Sequence, residues 1–505
     1  MKYIDDFLNR ITMYRLVLYY LTALIVAAFG LAFFGLVPYS PWAILFSTML
    51  ATAVCWVANE LCAYFFKAHP NVESVYITAF ILALIVRPAL PNDLKGVAFL
   101  VWVCVFAMTS KYVLAIGKKH IFNPAAFGVM FVSLTLGGAA SWWVGGNVWL
   151  LTIVLLGGLL IVRKIRRFDL VLSFMAAALV MTTLTAHSSG GIWLPAWQTI
   201  LHSPFFFFAF IMLTEPLTTP PTRGLRLAYG VLTGILIAPA VHIGGLHSTP
   251  ELALVVGNIF SYVVSPKGRL MLRLKKVEGT SASTSEFIFA SDQSLVFKPG
   301  QYLEWTLPHE KSDSRGNRRY FTIASSPTEP DIHLGVKFYD PPSTFKRALA
   351  HLREGGEISA SQLAGEFTLP ADKNKKLVFI AGGIGITPFR SMIKYLLDTK
   401  DSRSVLLLYA NRKAEDIAYR SLFDQAQKEL GIKTIYAVTD EPDAVQKGYV
   451  PVIDMELIKR EVPDYLDRMF YISGPRAMVV AFRHTLREVG VPRRNIKEDF
   501  FPGFV

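Results

Sequence analysis

Cysteine is scarce, with only Cys55, Cys62 and Cys104 in 505 residues, all in apolar stretches. Three thiols fall short of the four that hold an iron–sulfur cluster, and their spacing carries no secreted-disulfide pattern. Charge is the second scarcity, and it is local. Residues 1–266 hold 15 Lys and Arg with 8 Asp and Glu, against 36 and 30 in residues 267–505. Hydrophobic residues make up 52% of the chain and mean hydropathy is +0.39, too apolar for a protein dissolved in water throughout. A charge-poor half is thus joined to an ordinary globular one. The net charge of +13 divides as +7 and +6, so neither half is basic enough to argue for nucleic acid. No internal repeat or low-complexity tract stands out, and the run Phe205–Phe208 reads as lipid or core filling. A cleavable signal peptide is not expected, because the first apolar run is long enough to span a bilayer.

A helix needs about 20 apolar residues to cross about 30 Å of hydrocarbon. Ten segments qualify or nearly so: 16–37, 42–66, 73–90, 95–115, 124–138, 145–163, 169–186, 204–216, 226–242 and 251–265. The third, fifth, eighth and tenth are short or broken, a form tolerated where the segment is buried in protein or lines a cavity. Lys2, Arg10 and Arg15 precede the first span. Lys67, the group Lys111, Lys118 and Lys119, the run Arg163 to Arg167, and Arg223 with Arg226 fall on alternate connections, and five cations follow residue 266. Only Arg87 and Lys95 break the pattern. The positive-inside rule then predicts a multi-pass protein of the cell membrane, with both termini and the charged half cytoplasmic.

From residue 270 the pattern changes to short β-rich runs, such as Gly300-Gln-Tyr-Leu-Glu-Trp and His333-Leu-Gly-Val-Lys-Phe, and then to alternating strand and helix from Lys376 onward. The first pattern predicts a small antiparallel barrel and the second a doubly wound parallel sheet. Gly382-Gly-Ile-Gly-Ile-Thr-Pro falls at a strand-to-helix turn. Glycines there let the backbone approach a pyrophosphate, and the next helix offers free N–H groups; the alternative is plain tight-turn geometry. Further on, Arg319-Tyr-Phe-Thr322 ends a predicted strand, Ser473-Gly-Pro-Arg-Ala-Met478 closes another, and the chain ends Glu498-Asp-Phe-Phe-Pro-Gly-Phe504.

In order and spacing these elements resemble the ferredoxin–NADP⁺ reductase family over about residues 268–505. The resemblance implies FAD and NADH or NADPH as cofactors. It assigns Arg319 to the FAD pyrophosphate, Tyr320 to packing on the isoalloxazine and Thr322 to a hydrogen bond near flavin N5. Val336, Lys337, Ser343 and Thr344 match the second flavin segment, although the glycine usual before the serine is missing. Gly382, Gly383, Gly385, Thr387 and Pro388 match the nicotinamide-nucleotide loop, with Gly474, Pro475 and Met478 closing it. Ser473 stands where many relatives have cysteine, and with Tyr320, Thr322 and the near-terminal Phe504 it is assigned to the hydride-transfer site. Arg412, with Lys413, follows the strand where a cation pairs with a 2′-phosphate in NADPH-specific enzymes; a solvated loop is the other reading.

In the apolar half, Asn123-Pro124-Ala125-Ala126 opens the fifth span, Leu213-Thr214-Glu215-Pro216-Leu-Thr218 breaks the eighth, and Asn258 sits inside the tenth. Polar groups at such depth need partners, which a polar ligand can supply; equally, Asn123 before Pro124 is a good helix cap. Residues 16–268 resemble the RnfD/NqrB-type membrane flavoproteins, found in the Rnf electron-transport complex and the sodium-pumping NADH:quinone reductase. That resemblance implies a membrane flavin near Asn123, Thr214, Glu215 and Thr218. The threonine loop that carries covalent FMN in those relatives is absent, so the flavin expected is non-covalent FMN or riboflavin.

The fold expected is therefore multi-domain: an α-helical polytopic membrane domain over 1–267, an antiparallel β-barrel FAD-binding domain over 268–371, and a doubly wound α/β NAD(P)-binding domain over 372–505. The function expected is a membrane-bound oxidoreductase passing electrons from NAD(P)H through FAD to the membrane flavin, and on to a quinone or an extracytoplasmic acceptor. No metal site is expected, and oligomeric state is left open. The alternatives are an ion-translocating or transporter module regulated by the fused reductase, with Glu60 as its buried acid, and a haem-dependent transmembrane reductase. The second would need histidine pairs on membrane helices, whereas His69, His120, His187, His202, His242 and His247 fall in loops or at span ends. A bare anchor for a soluble reductase is the remaining option.

Overall fold

The computed structural model describes residues 4, 7–8, 11–66, 72–116, 119–187, 201–238, 240–265, 269–309, 313 and 317–499. The chain forms two compact units, Met1–Gly268 and Arg269–Val505.

The first unit is helical: α1 (Met13–Phe33), α2 (Pro41–Phe65), α3 (Val72–Ile85), α4 (Leu94–Val113), α5 (Pro124–Leu136), α6 (Val148–Ile165), α7 (Phe168–His187), α8 (Phe205–Phe207), α9 (Arg223–Leu236) and α10 (Pro250–Val264). Two-residue strands β1 (Ala115–Ile116) and β2 (Lys119–His120) pair before α5, and β3 (His242–Ile243) pairs with β4 (Leu246–His247) before α10. Three helices start on the same local device, a polar cap followed by proline. Ser40 Oγ accepts from the Ala43 N–H at 3.2 Å, Asn123 Oδ1 from Ala126 at 3.1 Å and Thr249 Oγ1 from Leu252 at 3.3 Å, with Pro41, Pro124 and Pro250 next in each chain. The cap satisfies a free N–H of the first turn, and proline's fixed φ suits a position that needs no donor.

Five helices (α1, α2, α4, α6 and α7) are long and apolar enough to cross a membrane, and α3, α5 and α10 are shorter apolar helices. Large apolar side chains such as Phe34, Tyr64 and Leu94 stand exposed on their outer faces, the surface a lipid-embedded unit presents. The segment expected to be the eighth span is not a continuous α-helix. After one turn at Phe205–Phe207 it widens into a π-helix, Phe208–Met212, in which the Leu213 N–H reaches back to Phe208 O at 2.9 Å. Phe205, Phe207, Phe208 and Phe210 are all buried, so the phenylalanine run fills the interior rather than facing lipid.

Helix α9 packs along α7 closely enough that a Cβ on Gly234 would lie 2.6 Å from Phe174 O. Without a hydrophobic drive between helices in lipid, such backbone approach is a main source of packing energy.

The second unit starts with a six-stranded antiparallel sheet in the order β8-β7-β10-β5-β6-β9. Its strands are β5 (Leu270–Gly279), β6 (Thr284–Ser291), β7 (Tyr302–Thr306), β8 (Arg318–Thr322), β9 (Ile332–Lys337) and β10 (Glu357–Ala364), with α11 (Thr344–Ala350) between β9 and β10. A five-stranded parallel sheet follows in the order β13-β12-β11-β14-β15, built from β11 (Leu377–Gly382), β12 (Val405–Asn411), β13 (Lys433–Val438), β14 (Met469–Ser473) and β15 (Ile496–Asp499). Its helices are α12 (Thr387–Asp398), α13 (Arg420–Leu430), α14 (Met455–Glu461) and α15 (Arg476–Glu488). Strand β11 is buried along its whole length, as expected of a central strand covered on both faces. The order reverses at β11/β14, the place where open α/β sheets bind ligands at their carboxyl ends.

Gly234→Val should push α9 off α7 and lower stability by about 1–3 kcal/mol, the usual range for overpacking. Thermal unfolding of the detergent-solubilised chain checks it; an unchanged midpoint would mean that the helices do not pack this closely.

Candidate functional site

In the antiparallel sheet, register builds the first site. Strands β7 and β8 set Tyr302 opposite Thr322 and Glu304 opposite Tyr320. Tyr320 is 42% exposed, whereas Thr322 is 3% exposed. Thr322 Oγ1 is buried with no hydrogen-bond partner. Leaving a buried hydroxyl unpaired costs about 1–3 kcal/mol, a cost that a polar ligand atom bound here would recover. The Arg319 guanidinium donates to Asp313 at 3.0 Å and lies 5.4 Å from the ring of Phe345. Phe345 belongs to α11, which Ser343 caps by accepting from the Lys346 N–H at 3.3 Å. Thr344 Oγ1 accepts from the Asp313 N–H at 3.0 Å. Arg319, Ser343 and Thr344 are thereby gathered around one loop. Val336 is buried within β9. The Lys337 ammonium pairs with Asp416 at 3.0 Å, whose carboxylate also accepts a hydrogen bond from the Ser283 hydroxyl. These residues fit an isoalloxazine and a diphosphate: an exposed aromatic face, a buried hydroxyl without a partner and a cation beside a capped loop.

At the parallel sheet, Gly382 ends β11, Gly383 to Ile386 form a 3₁₀ turn, and Thr387 and Pro388 open α12. A Cβ on Gly385 would lie 2.4 Å from Ser473 O, so only glycine lets this turn lie against the end of β14. Ser473 is buried, opposite Ala381 in the ladder. Met478 Sδ on α15 would be 2.5 Å from a Cβ on Gly382, which brings Gly474, Pro475 and Met478 to the same turn. The Thr387 hydroxyl donates to Ile384 O at 3.2 Å and so braces the turn from inside. Arg412 is exposed just beyond β12, and Lys413 pairs with Glu415 at 3.3 Å. Phe504 lies outside the described residues.

Sequence reasoning missed the polar hub that joins the two sheets. Arg390, on α12, makes a bidentate pair with Glu329, with Nη2 to Oε1 at 3.0 Å. Its Nε lies 3.6 Å from Glu286 Oε1, and His333 Nδ1 is 3.3 Å from the same oxygen. Arg390 also donates to Ala324 O at 3.2 Å, while Ser391 donates to Ser325 O at 2.6 Å. The Tyr419 ring, held at φ 60°, lies 5.8 Å from the guanidinium. Burial pushes the Glu286 carboxyl upward, but His333 and Arg390 outweigh it and hold the group below the ordinary glutamate value. No local motif announces this hub, because its members come from β6, β9, α12 and the intervening loops.

In the helical unit the four expected ligand residues fall into three separate sets of polar contacts. Asn258 Oδ1 accepts from the Asn123 N–H at 2.7 Å, and Asn258 Nδ2 donates to Tyr229 Oη at 3.0 Å. Glu215 Oε1 lies 3.4 Å from His120 Nε2, and the Thr218 hydroxyl donates to Glu215 Oε2 at 3.3 Å. The Thr214 hydroxyl is buried and donates to Phe210 O at 2.6 Å, beside the π-helix. Asn123 Oδ1 caps α5, so the capping reading of that residue holds. Lys111, at the foot of α4, donates to Ser74 O, Ser74 Oγ and Thr78 Oγ1 at 3.0–3.1 Å. Each of the four has a protein partner. The Glu215 and His120 side chains, 20% and 15% exposed with a long contact, are partly open to a ligand.

Residues 143–266 match the NQR2, RnfD, RnfE family, and residues 379–484 match the oxidoreductase NAD-binding domain. The chain is 28% identical over 245 residues to the glycine betaine monooxygenase reductase subunit of Pseudomonas aeruginosa, covering 46% of this chain and 64% of that one. It is 27% identical over 240 residues to a flavohemoprotein of Bacillus cereus, covering 45% and 59%. The chain thus spans less than two thirds of the length of these relatives. The flavohem-like FAD/NAD binding domain of a nitric oxide dioxygenase from Vibrio cholerae superposes with a TM-score of 0.41 at 20% identity, covering 46% of this chain and 97% of that one. In class, then, the chain pairs a half rich in apolar helices of membrane-spanning length with an oxidoreductase NAD-binding domain. In particular, a segment that matches the NQR2, RnfD, RnfE family precedes that domain.

Arg390→Met would leave Glu286 and Glu329 buried without their cation and should destabilise the second unit by about 3 kcal/mol. Glu286 titrates lower folded than unfolded, so its share of stability is present above the ordinary glutamate range and fades as pH falls below it. Thermal melts from pH 7 to pH 3 should show the gap between wild type and variant closing with acid; a gap that widens would contradict the assignment.

Proposed function

We propose that the chain is a membrane-bound flavoprotein oxidoreductase that carries electrons from NAD(P)H, through FAD in the second unit, to a non-covalent FMN or riboflavin in the helical unit. A quinone or an extracytoplasmic acceptor receives them. One observation carries this reading: a single chain holds both an NQR2, RnfD, RnfE-family segment and an oxidoreductase NAD-binding domain. Tethering donor to acceptor in this way raises the effective concentration of one at the other. FAD bound at β8 would supply the exchange between hydride and single-electron chemistry.

The chain's own residues do the positioning. Arg319 neutralises the diphosphate, with Ser343 and Thr344 on the adjoining loop. Thr322 gives its unpartnered hydroxyl to the ring edge, and the Tyr320 ring covers one face and keeps water from it. The turn at Gly382, Gly383 and Gly385 exposes the first N–H groups of α12 to the dinucleotide phosphates. Ser473 lines the nicotinamide, with Gly474, Pro475 and Met478 behind it, and Phe504 completes the assignment at the chain end. Arg412 is the group available to a 2′-phosphate, and NADH serves if it stays solvated. In the helical unit, Asn123, Thr214, Glu215 and Thr218 would hold the second flavin, and the long Glu215–His120 contact leaves Glu215 free to turn toward it. The division at residues 267 and 371, and the placement of both termini in the cytoplasm, complete the proposal.

Asn123→Ala and Glu215→Gln should leave NAD(P)H oxidation by ferricyanide within about twofold of wild type. Each should slow delivery to a membrane quinone about tenfold, the equivalent of one hydrogen bond of about 1.4 kcal/mol. Parallel assays of the two activities check this, and equal loss of both would contradict separate sites.

A further inference from the structure

The ring of Tyr320 is tethered by two side chains that the flavin-site motif does not contain. Its hydroxyl donates to Glu304 Oε2 at 3.0 Å and lies 3.3 Å from Gln362 Oε1. The sheet register explains the first contact, because Glu304 sits opposite Tyr320 on β8 and opposite Ser361 on β10. A bulge between Ser361 and Ala364 explains the second. It swings Gln362 to φ 55°, the left-handed region that L side chains rarely adopt. Glu304 is 2% exposed, and its other oxygen takes a hydrogen bond from Arg318 at 3.2 Å. The result is a buried carboxylate behind an exposed aromatic ring, with a strained glutamine fixing the ring's tilt.

We propose that Glu304 and Gln362 are positioning residues that set the orientation and electron density of the Tyr320 ring, and through it the reduction potential of the flavin. This rests on the reading that FAD packs against Tyr320. A phenol hydrogen-bonded to a carboxylate is richer in electrons than a free one. Arg318 offsets the carboxylate's charge at a distance, so the hydrogen bond to the phenol carries the effect. It holds the flavin potential down, making the bound cofactor a stronger electron donor to whatever follows it. Gln362 acts by geometry alone. Glycine adopts φ 55° without steric cost, so its substitution frees the ring while relieving the backbone.

The test uses the full chain, purified with its FAD, and compares Glu304→Gln, Gln362→Gly, Tyr320→Phe and the Glu304→Gln/Tyr320→Phe double variant. Glu304→Gln keeps an acceptor of the same size but removes the charge, so the flavin midpoint potential should move positive. Most of that shift should vanish in the Tyr320→Phe background. Gln362→Gly should leave the melting temperature unchanged or raised, yet increase the fluorescence of the bound flavin as the quenching ring loosens. An unchanged potential in Glu304→Gln, or a shift of equal size with Phe at 320, would overturn the proposal, as would unaltered fluorescence in Gln362→Gly. FAD held by the wild type with any of those results refutes this proposal alone. A wild type that holds no FAD refutes the functional reading together with it.

Discussion

A polar group withdrawn from water must find a partner, and this requirement organises both halves of the chain. In the helical unit it ties α5, α9 and α10 together through Asn123, Asn258 and Tyr229. It also pairs Asp169 with Arg226 at 2.7 Å between α7 and α9. In the second unit it gathers Glu286, Glu329, His333 and Arg390 into the hub that fixes one sheet against the other. The residues proposed to hold the two cofactors come from both sheets, so their relative placement depends on that hub. The requirement is left unmet at several buried groups, among them the Thr322 hydroxyl, which stands where the proposed flavin would offer a polar atom.

Much of the architecture was legible in local sequence. The cap–proline pairs at Ser40, Asn123 and Thr249 announce helix starts because they act within one turn. The buried run of β11 and the glycine turn after it are equally local, and the strand–helix alternation expected from Lys376 onward is the one the parallel sheet follows. What stayed hidden depends on register and on distant partners. Periodicity says which face of β7 is buried, but not that Glu304 stands opposite Tyr320, nor that a bulge turns Gln362 toward the same hydroxyl. The π-helix at Phe208–Met212 was equally out of reach, since a run of phenylalanines satisfies an α-helix and a π-helix alike. There, buried packing and the Thr214 back-bond accompany the wider turn.

The two units also differ in how they treat charge. The second carries ion pairs across its surface and a buried cluster at its centre. The first has few charges and meets some with opposite charge, as Asp169 meets Arg226, and others with neutral hydroxyls, as the Lys111 ammonium is met by Ser74 and Thr78. Glu215, with His120 and Thr218, forms a partly exposed ionisable group apart from the Asn123 contacts. An electron acceptor beside this group would sit within reach of hydrogen-bond donors and of a carboxylate, surroundings able to bind and tune an organic ring.

The central claim is that reducing power crosses from one bound flavin to another within a single chain. The most direct measurement is the identity and amount of flavin released on denaturing the full-length protein, purified in detergent. The account predicts FAD and a second flavin, FMN or riboflavin, in equal amounts, with neither left attached to the polypeptide. FAD alone, at one per chain, would contradict it.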